Sequence, residues 1–253
     1  MQNQFDIKLK PNCRITLHNM DCMKGLKTVD EHSISILVTS PPYNLGINYA
    51  TYDDTIPRSD YLQWIREWTT EVKRVIASDG SLFLNMGASL KDPWIAMDVA
   101  RIVAEQMTLQ NTIHWIKSIS IDAQYLSKYF PAASTLSVGH YKPINSKRFI
   151  NDCHEYVFHF TQEGNSELDR KAVGVPYQDK SNITRWKKAG SDLRCRGNNW
   201  FIPYETITSR LKDRPHPATF PKRLVENCMK LHGLDKIELA LDPFMGIGTT
   251  ALA

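Results

Sequence analysis

Two short stretches carry residues that could do chemistry. In the first, an apolar run through Ile34, Ile36, Leu37 and Val38 stops at Thr39-Ser40-Pro41-Pro42-Tyr43-Asn44. Prolines at 41 and 42 fix φ and remove two backbone N–H donors, so a hydroxyl and a planar ring are held on a stiff loop. In the second, Asp242-Pro243-Phe244-Met245-Gly246-Ile247-Gly248-Thr249-Thr250 follows another apolar run. Glycine at 246 and 248 lets a backbone turn sharply and approach a ligand closely. The full G-x-G-x-x-G is absent, and so is the G-K-S/T lysine that binds phosphates, which favours a nucleotide-like ligand without a triphosphate. Taken singly, each stretch also fits a bland reading: a rigid strand exit, and glycines used for geometry alone.

These residues need elements to position them. Residues 14–18 and 34–39 read as strands, as do 81–87, 111–117, 154–160 and 237–244. Ser59 is placed to cap a helix carrying Leu62, Ile65, Trp68, Val72 and Val75, which ends at Asp79-Gly80. Asp92-Pro93 opens a second helix with Ile95, Val99, Ile102 and Val103 on one face, Pro93 fitting its first turn. Pro221 begins another, through Leu224, Val225 and Cys228, that stops at Gly233. The alternation predicts an α/β fold: a mostly parallel sheet with helices on both faces. The glycine turn then falls at the carboxyl edge of the sheet, where ligands bind.

Composition bounds the remaining choices. A chain of 253 residues, 42% of them hydrophobic, suits one large domain or a domain with an insertion. No run approaches the ~18 apolar residues of a membrane span, and no signal-peptide pattern opens the sequence. The five cysteines (Cys13, Cys22, Cys153, Cys195, Cys228) are scattered without C-x-x-C. That argues for a reducing cytoplasm and against a disulfide framework or a metal site. Between Lys142 and Arg223 there are 16 Lys and Arg against 9 Asp and Glu, a local +7 within a chain of net charge +4. Residues 161–214 are polar, basic and punctuated by Gly and Pro, and read as a recognition insert outside the sheet. The expected division is 1–160, 161–214 and 215–253.

Together, the two stretches resemble the amino-group DNA methyltransferases, which use S-adenosylmethionine. The resemblance identifies Thr39-Ser40-Pro41-Pro42-Tyr43 with the family's catalytic [D/N/S]-P-P-[Y/F] motif. It matches Asp242 to Thr250 to the D-P-F-x-G-x-G-T-T motif of the cofactor pocket. "HPATFP" (216–221) is similar to another cofactor-side motif, and "HNMDC" (18–22) to the acidic strand end whose Asp21 would reach the cofactor adenine. Catalytic motif first and cofactor motif last is the permuted order of the β group, common in bacterial restriction-modification systems. The implied fold is Rossmann-like, with a basic target-recognition insert. The implied catalytic residues are Ser40, Pro41, Pro42 and Tyr43. Those implied at the cofactor are Asp21, Cys22, Thr39, His216, Thr219, Phe220, Pro221, Asp242, Pro243, Phe244, Gly246, Gly248, Thr249 and Thr250.

The implied reaction explains the opening stretch. An exocyclic amine is a poor nucleophile because its lone pair is delocalised into the base. Ser40 Oγ and the Pro41 carbonyl could accept its two N–H bonds and favour a more sp³-like nitrogen. Tyr43 could stack on a base rotated out of the duplex, and Asn44 would fix the loop. Family members with Ser before the prolines mostly methylate cytosine N4, those with Asp adenine N6, so cytosine N4 leads and adenine N6 stays open. Cytosine C5 chemistry needs a cysteine nucleophile, usually after proline, and no Pro-Cys occurs. RNA or protein glutamine as substrate fits less well: such enzymes carry Asn before the prolines and the glycine motif first.

For DNA, Lys142, Lys147, Arg148, Arg185, Lys187, Lys188, Arg194 and Arg196 are the expected contacts. Trp200 reads as packing. His154-Glu155 reads as a pair supporting the cofactor motifs or, more simply, one satisfied in the core. Asp53, in "YATYDD" (49–54), could reach cofactor or substrate from a mobile flap. The partners implied are double-stranded DNA, a cognate restriction endonuclease acting on the same site, and a second copy in a homodimer. The implied location is the prokaryotic cytoplasm, at the nucleoid. Members of the family continue beyond the Thr-Thr of the glycine turn with a helix, a strand and a ribose-binding acid. The sequence reads as a fragment lacking these, and otherwise as a DNA-binding chain without catalysis.

Overall fold

The structure, a computed structural model, describes residues 4–10, 13–49, 52–132, 134–139, 145–185, 191–203 and 219–253. Lys142, Lys187, Lys188 and His216 lie outside them. At the centre is a six-stranded sheet. In spatial order its strands are β10 (Ala240–Leu241), β3 (Ile34–Thr39), β4 (Ile76–Met86), β8 (His154–Thr161), β5 (Thr108–Ile116) and β9 (Asn199–Phe201). β8 is antiparallel to both neighbours, and every other adjacent pair is parallel. The mostly parallel sheet is therefore as expected.

Apolar runs in the central strands follow from burial on both faces. Successive side chains of a strand point to opposite faces. Leu82, Leu84 and Met86 of β4 accordingly join Phe158 and Phe160 on one side. Phe83 joins Ile36, Val38, Ile113, Trp115 and Val157 on the other. Helices α2 (Arg58–Val75) and α3 (Ile95–Ala104) cover the first face, and α6 (Lys222–His232) covers the second. The buried stripe of α2 is Tyr61, Ile65, Trp68, Val72 and Val75, a helical period that places one side against the sheet.

Several local expectations are corrected. Ser59 does not cap α2; Pro57 precedes its first residue, and no side chain caps it. α3 starts at Ile95, so Pro93 stands before the helix, not in its first turn. Only Ala240–Leu241 of the predicted strand 237–244 is paired. Just before it, the Glu238 and Leu239 amides donate to Ser35 Oγ at 3.0 and 3.4 Å, and the Ser35 amide donates to the Leu239 carbonyl at 3.0 Å. Residues 199–201 overturn the expectation that 161–214 stays outside the sheet, since β9 pairs with β5. Trp200 is buried there, and Trp115 Nε1 donates to the Ile202 carbonyl at 2.7 Å, so a tryptophan core ties the segment down. Two antiparallel hairpins lacked a strong turn signal: β1 (Gln4–Lys10) with β2 (Cys13–His18), and β6 (Ser118–Ile121) with β7 (Leu136–Gly139). Among the described residues the remaining α-helices are single turns: α1 (Cys22–Leu26), α4 (Ala123–Leu126), α5 (Ser181–Arg185) and α7 (Thr249–Leu252).

The core contains one polar cluster. His159 is fully buried and stacked on Phe83, with Nε2 2.9 Å from Ser81 Oγ and Nδ1 3.0 Å from Asn111 Nδ2. Burial, and then the nearby His232, push its pKa from 6.5 down to about 3. Below pH 6.5 the unfolded chain binds a proton that the folded chain does not, so stability falls as pH drops from 6.5 towards 3. Near pH 5 the loss is on the order of 2 kcal/mol relative to neutral pH. Urea unfolding at the two pH values tests this, with a smaller difference expected in His159→Gln; equal free energies at both would refute it.

Candidate active site

The two motifs leave neighbouring parallel strands, β3 and β10, and one carboxylate joins them. Thr39 Oγ1 donates to Asp242 Oδ1 and Thr250 Oγ1 to Oδ2, each at 2.6 Å, and the Phe244 amide donates to Oδ1 at 3.0 Å. Asp242 is half-buried, and its burial raises its pKa, against the pull of these hydrogen bonds. Thr39, expected at the cofactor, is fully buried and serves this clamp, as do Asp242 and Thr250. The turn after Asp242 passes through left-handed backbone at Gly246 (φ 55°) and Gly248 (φ 85°), which suits glycine.

The catalytic loop is held from behind. Tyr61 of α2 donates to the Pro42 carbonyl at 2.7 Å. Asp54 is buried and accepts from the amides of Asn44, Leu45 and Ile47 at 2.8, 3.1 and 2.9 Å. Asn44 takes φ 58°, and its side-chain amide donates to the Ile56 carbonyl at 2.8 Å, so it does fix the loop. The acid that matters in "YATYDD" is thus Asp54. Asp53 accepts only from the Thr55 amide and hydroxyl, at 3.0 and 2.5 Å. α2 also packs Trp64 and Trp68 against Phe244, with ring centroids 5.7 and 5.8 Å apart.

At the loop's other end is a polar cluster. Ser40 Oγ donates to the Tyr43 hydroxyl at 2.9 Å. That hydroxyl lies 3.2 Å from Glu155 Oε2 and accepts from Asn85 Nδ2 at 2.6 Å. Asn85 Nδ2 is also 2.8 Å from Glu155 Oε2, and Lys117 Nζ is 2.9 Å from Oε1. Gly87 makes room: a Cβ there would stand 3.0 Å from the Tyr43 ring and 3.2 Å from Glu155. Glu155 therefore belongs to the catalytic loop's surroundings and not to a closed core pair. The adjacent Tyr-Asn-Leu run of the loop carried no hint of it.

A cavity of about 250 Å³ receives both motifs. Its walls include Ser40, Pro41 and Tyr43 of the first motif, Phe244, Gly246 and Thr249 of the second, and Asn85, Glu155, Thr219 and Phe220. Of the other expected site residues, Pro42, Pro221, Pro243 and Gly248 are beside it without lining it. Asp21 caps α1, its carboxylate accepting from the Lys24 amide at 3.0 Å, and neither it nor Cys22 lines the cavity. Burial, with Asp21 beside it, pushes the Cys22 thiol up to about 11, which keeps it protonated and unreactive at neutral pH.

Basic residues fall into two groups. Lys147, Arg148, Arg185 and Arg194 are exposed. Arg196 donates to the Val173 carbonyl at 2.9 Å and so braces its own segment. Exposed rings accompany the cations: Tyr125, Tyr129 and Phe130 between β6 and β7, and Phe149 after β7. Lys128 lies over the Tyr129 ring and Arg148 over Phe149. Among the described residues no group of His, Cys, Asp and Glu could hold a metal ion, and no helix is long and apolar enough to cross a membrane.

A mostly parallel sheet, covered on both faces and with a ligand-sized cavity at its carboxyl edge, defines a Rossmann-like α/β protein. PvuII DNA methyltransferase (cytosine-N4-specific) has the same fold: TM-score 0.61 at 18% identity, over 92% of this chain and 75% of that one. The chain belongs to the DNA methylase family, whose model matches residues 34–253. It is 27% identical to the type II methyltransferase M.HpaI of Haemophilus parainfluenzae over 90% of this chain and 63% of that protein. It is 25% identical to M.BglII of Bacillus subtilis over 93% of this chain and 61% of that protein. The chain thus spans about three fifths of the length of these relatives.

The clamp gives a direct test. Asp242→Ala leaves the buried Thr39 hydroxyl without its acceptor and frees the glycine turn. Urea unfolding should show a loss of about 3 kcal/mol, whereas a change within ±0.5 kcal/mol would mean the clamp does not hold the strand ends together.

Proposed function

We propose that this chain is the catalytic core of an S-adenosylmethionine-dependent DNA amino-methyltransferase, acting on the exocyclic amine of a base rotated out of the duplex. The observation that carries the reading is the shared cavity: Ser40, Pro41 and Tyr43 line the same space as Phe244, Gly246 and Thr249. The cofactor fits the chemistry of the lining, where Phe220 and Phe244 offer flat apolar faces and the Gly246 turn offers open backbone. Phe220, Phe244, Gly246 and Thr249 would hold it, and when bound it supplies a methyl group made electrophilic by a sulfonium.

The chain's own residues do the rest. Ser40 gives its proton to Tyr43, which leaves its lone pairs for an N–H of the amine. The Pro41 carbonyl accepts the second N–H, and two acceptors orient the nitrogen in line with the methyl. Such positioning can supply on the order of 7–11 kcal/mol of the barrier. The Tyr43 ring lines the cavity and stacks on the extruded base. Duplex DNA meets the exposed Lys147, Arg148, Arg185 and Arg194 by charge, and the exposed rings of Tyr129 and Phe149 can stack on unpaired bases.

Cytosine N4 is the preferred target. A neutral Ser40 hydroxyl is a weaker proton acceptor than a carboxylate in its place, and the match of acceptor to amine favours cytosine. Digesting methylated duplex DNA to nucleosides and weighing the product decides this; N6-methyladenine would overturn the base assignment and retain the amine chemistry. Ser40→Ala is expected to lower kcat roughly 100- to 1,000-fold with duplex affinity nearly unchanged. Undiminished turnover in that variant would rule out Ser40 as an acceptor for the amine.

A further inference from the structure

Methylation of an amine leaves a proton to be disposed of, and Ser40 is too weak a base to keep it. Glu155 is the one carboxylate among the described residues lining the cavity. It does not touch the place where the amine would sit, but hydrogen bonds connect the two through Tyr43, whose hydroxyl lies 3.2 Å from Glu155 Oε2 and also 3.2 Å from a second acceptor, the Asn85 carbonyl. Ser40 Oγ donates to the Tyr43 oxygen at 2.9 Å, and the Tyr43 hydroxyl donates to Glu155 Oε2 at 3.2 Å. Asn85 Nδ2 donates to both Tyr43 and Glu155, which keeps the two oxygens side by side. Lys117 holds Oε1 and leaves Oε2 towards Tyr43. The absent side chain at Gly87 lets the ring and the carboxylate approach.

We propose that Glu155 is the positioning residue that ends a proton relay from Ser40 through Tyr43, an inference that rests on the amino-methyltransferase reading. The amine nitrogen forms its bond to the methyl carbon while the carbon–sulfur bond breaks, the electron pair staying on sulfur. The surplus N–H proton passes to Ser40 Oγ, the Ser40 proton to the Tyr43 oxygen, and the Tyr43 proton to Glu155 Oε2. The positive charge lost from the sulfonium is cancelled by the carboxylate, which becomes a neutral acid. Its side chain retains 14% exposure, enough to return the proton to water. Among the described residues, the titratable groups near Glu155 are Tyr43 from the catalytic loop and Lys117 beyond β5, with His154 next to it on β8 and the His114 ring of β5 5.8 Å from that of His154.

Tyr43 therefore has a double role: a ring for the base and an oxygen for the proton. Tyr43→Phe separates the two, keeping the ring and the Lys117–Glu155 pair while breaking the relay. Single-turnover methyl transfer to duplex DNA should fall about 100-fold in Tyr43→Phe and in Glu155→Gln, and both should lose the acid limb of the wild-type pH–rate profile. Cofactor binding by calorimetry, and extrusion of a 2-aminopurine placed at the target and read by its fluorescence without cofactor, should stay within about twofold of wild type, as the general acid–base role predicts. If Glu155→Gln fails to fold, Tyr43→Phe alone decides. Active wild type beside variants of equal rate and unchanged pH profile overturns the relay and leaves the functional reading standing. A slow variant that has lost base extrusion in proportion also overturns it, since Tyr43 then acts through binding. Wild type that moves no methyl group to DNA overturns the functional reading and the relay with it.

Discussion

A single half-buried carboxylate joins the two halves of the site. Asp242 accepts the hydroxyls of Thr39 and Thr250 together with the Phe244 amide, and no cation among the described residues pairs with it. Burying a carboxylate is costly unless its oxygens are satisfied, so those donors cannot be exchanged for apolar groups without loss. Because Thr39 directly precedes Ser40, the same bonds that satisfy Asp242 set where the catalytic loop leaves the sheet. The reacting loop and the ligand turn are thus one mechanical unit.

The second support is apolar. α2 packs its stripe on the sheet and also reaches past it: Tyr61 to the Pro42 carbonyl, Trp64 and Trp68 to Phe244. One amphipathic helix therefore contacts both motifs from behind. Its rigidity comes from close packing of large side chains, which are costly to shift. Asp54 completes the arrangement by gathering three loop amides that prolines at 41 and 42 could not supply. A loop built in this way has little freedom left to lose when a substrate arrives, which is what positioning catalysis requires.

The polar end of the cavity works differently. Ser40, Tyr43, Asn85, Glu155 and Lys117 come from the catalytic loop, β4, β8 and the β5–β6 junction, and each is hydrogen-bonded to another, while the buried Asn85 Oδ1 has no partner among the described residues. In a low-dielectric site a network like this is stable only when its members are paired. The connection from Ser40 through Tyr43 to Glu155 is a property of the whole set and of no single pair.

Much of this could be read from the chain order. The strands at 34–39 and 154–160 and the helices through Trp68 and Cys228 follow from apolar periodicity, and the loops from Pro and Gly, because both signals are local. So does the chemistry offered by Ser40 and Tyr43, which depends on residue type alone. Where periodicity misled, at 237–244 and 199–201, pairing with a distant strand decided the outcome. Asp54 and Lys117 escaped notice, and Glu155 was read only as half of a pair with His154, because an acid or lysine in a polar stretch looks the same whether solvated or buried. Their roles arise from contacts such as Glu155 with Tyr43, 112 positions apart, and Asp242 with Thr39, 203 apart. No local pattern encodes such distances; only closing the sheet, and removing water from its edge, makes those groups choose one another.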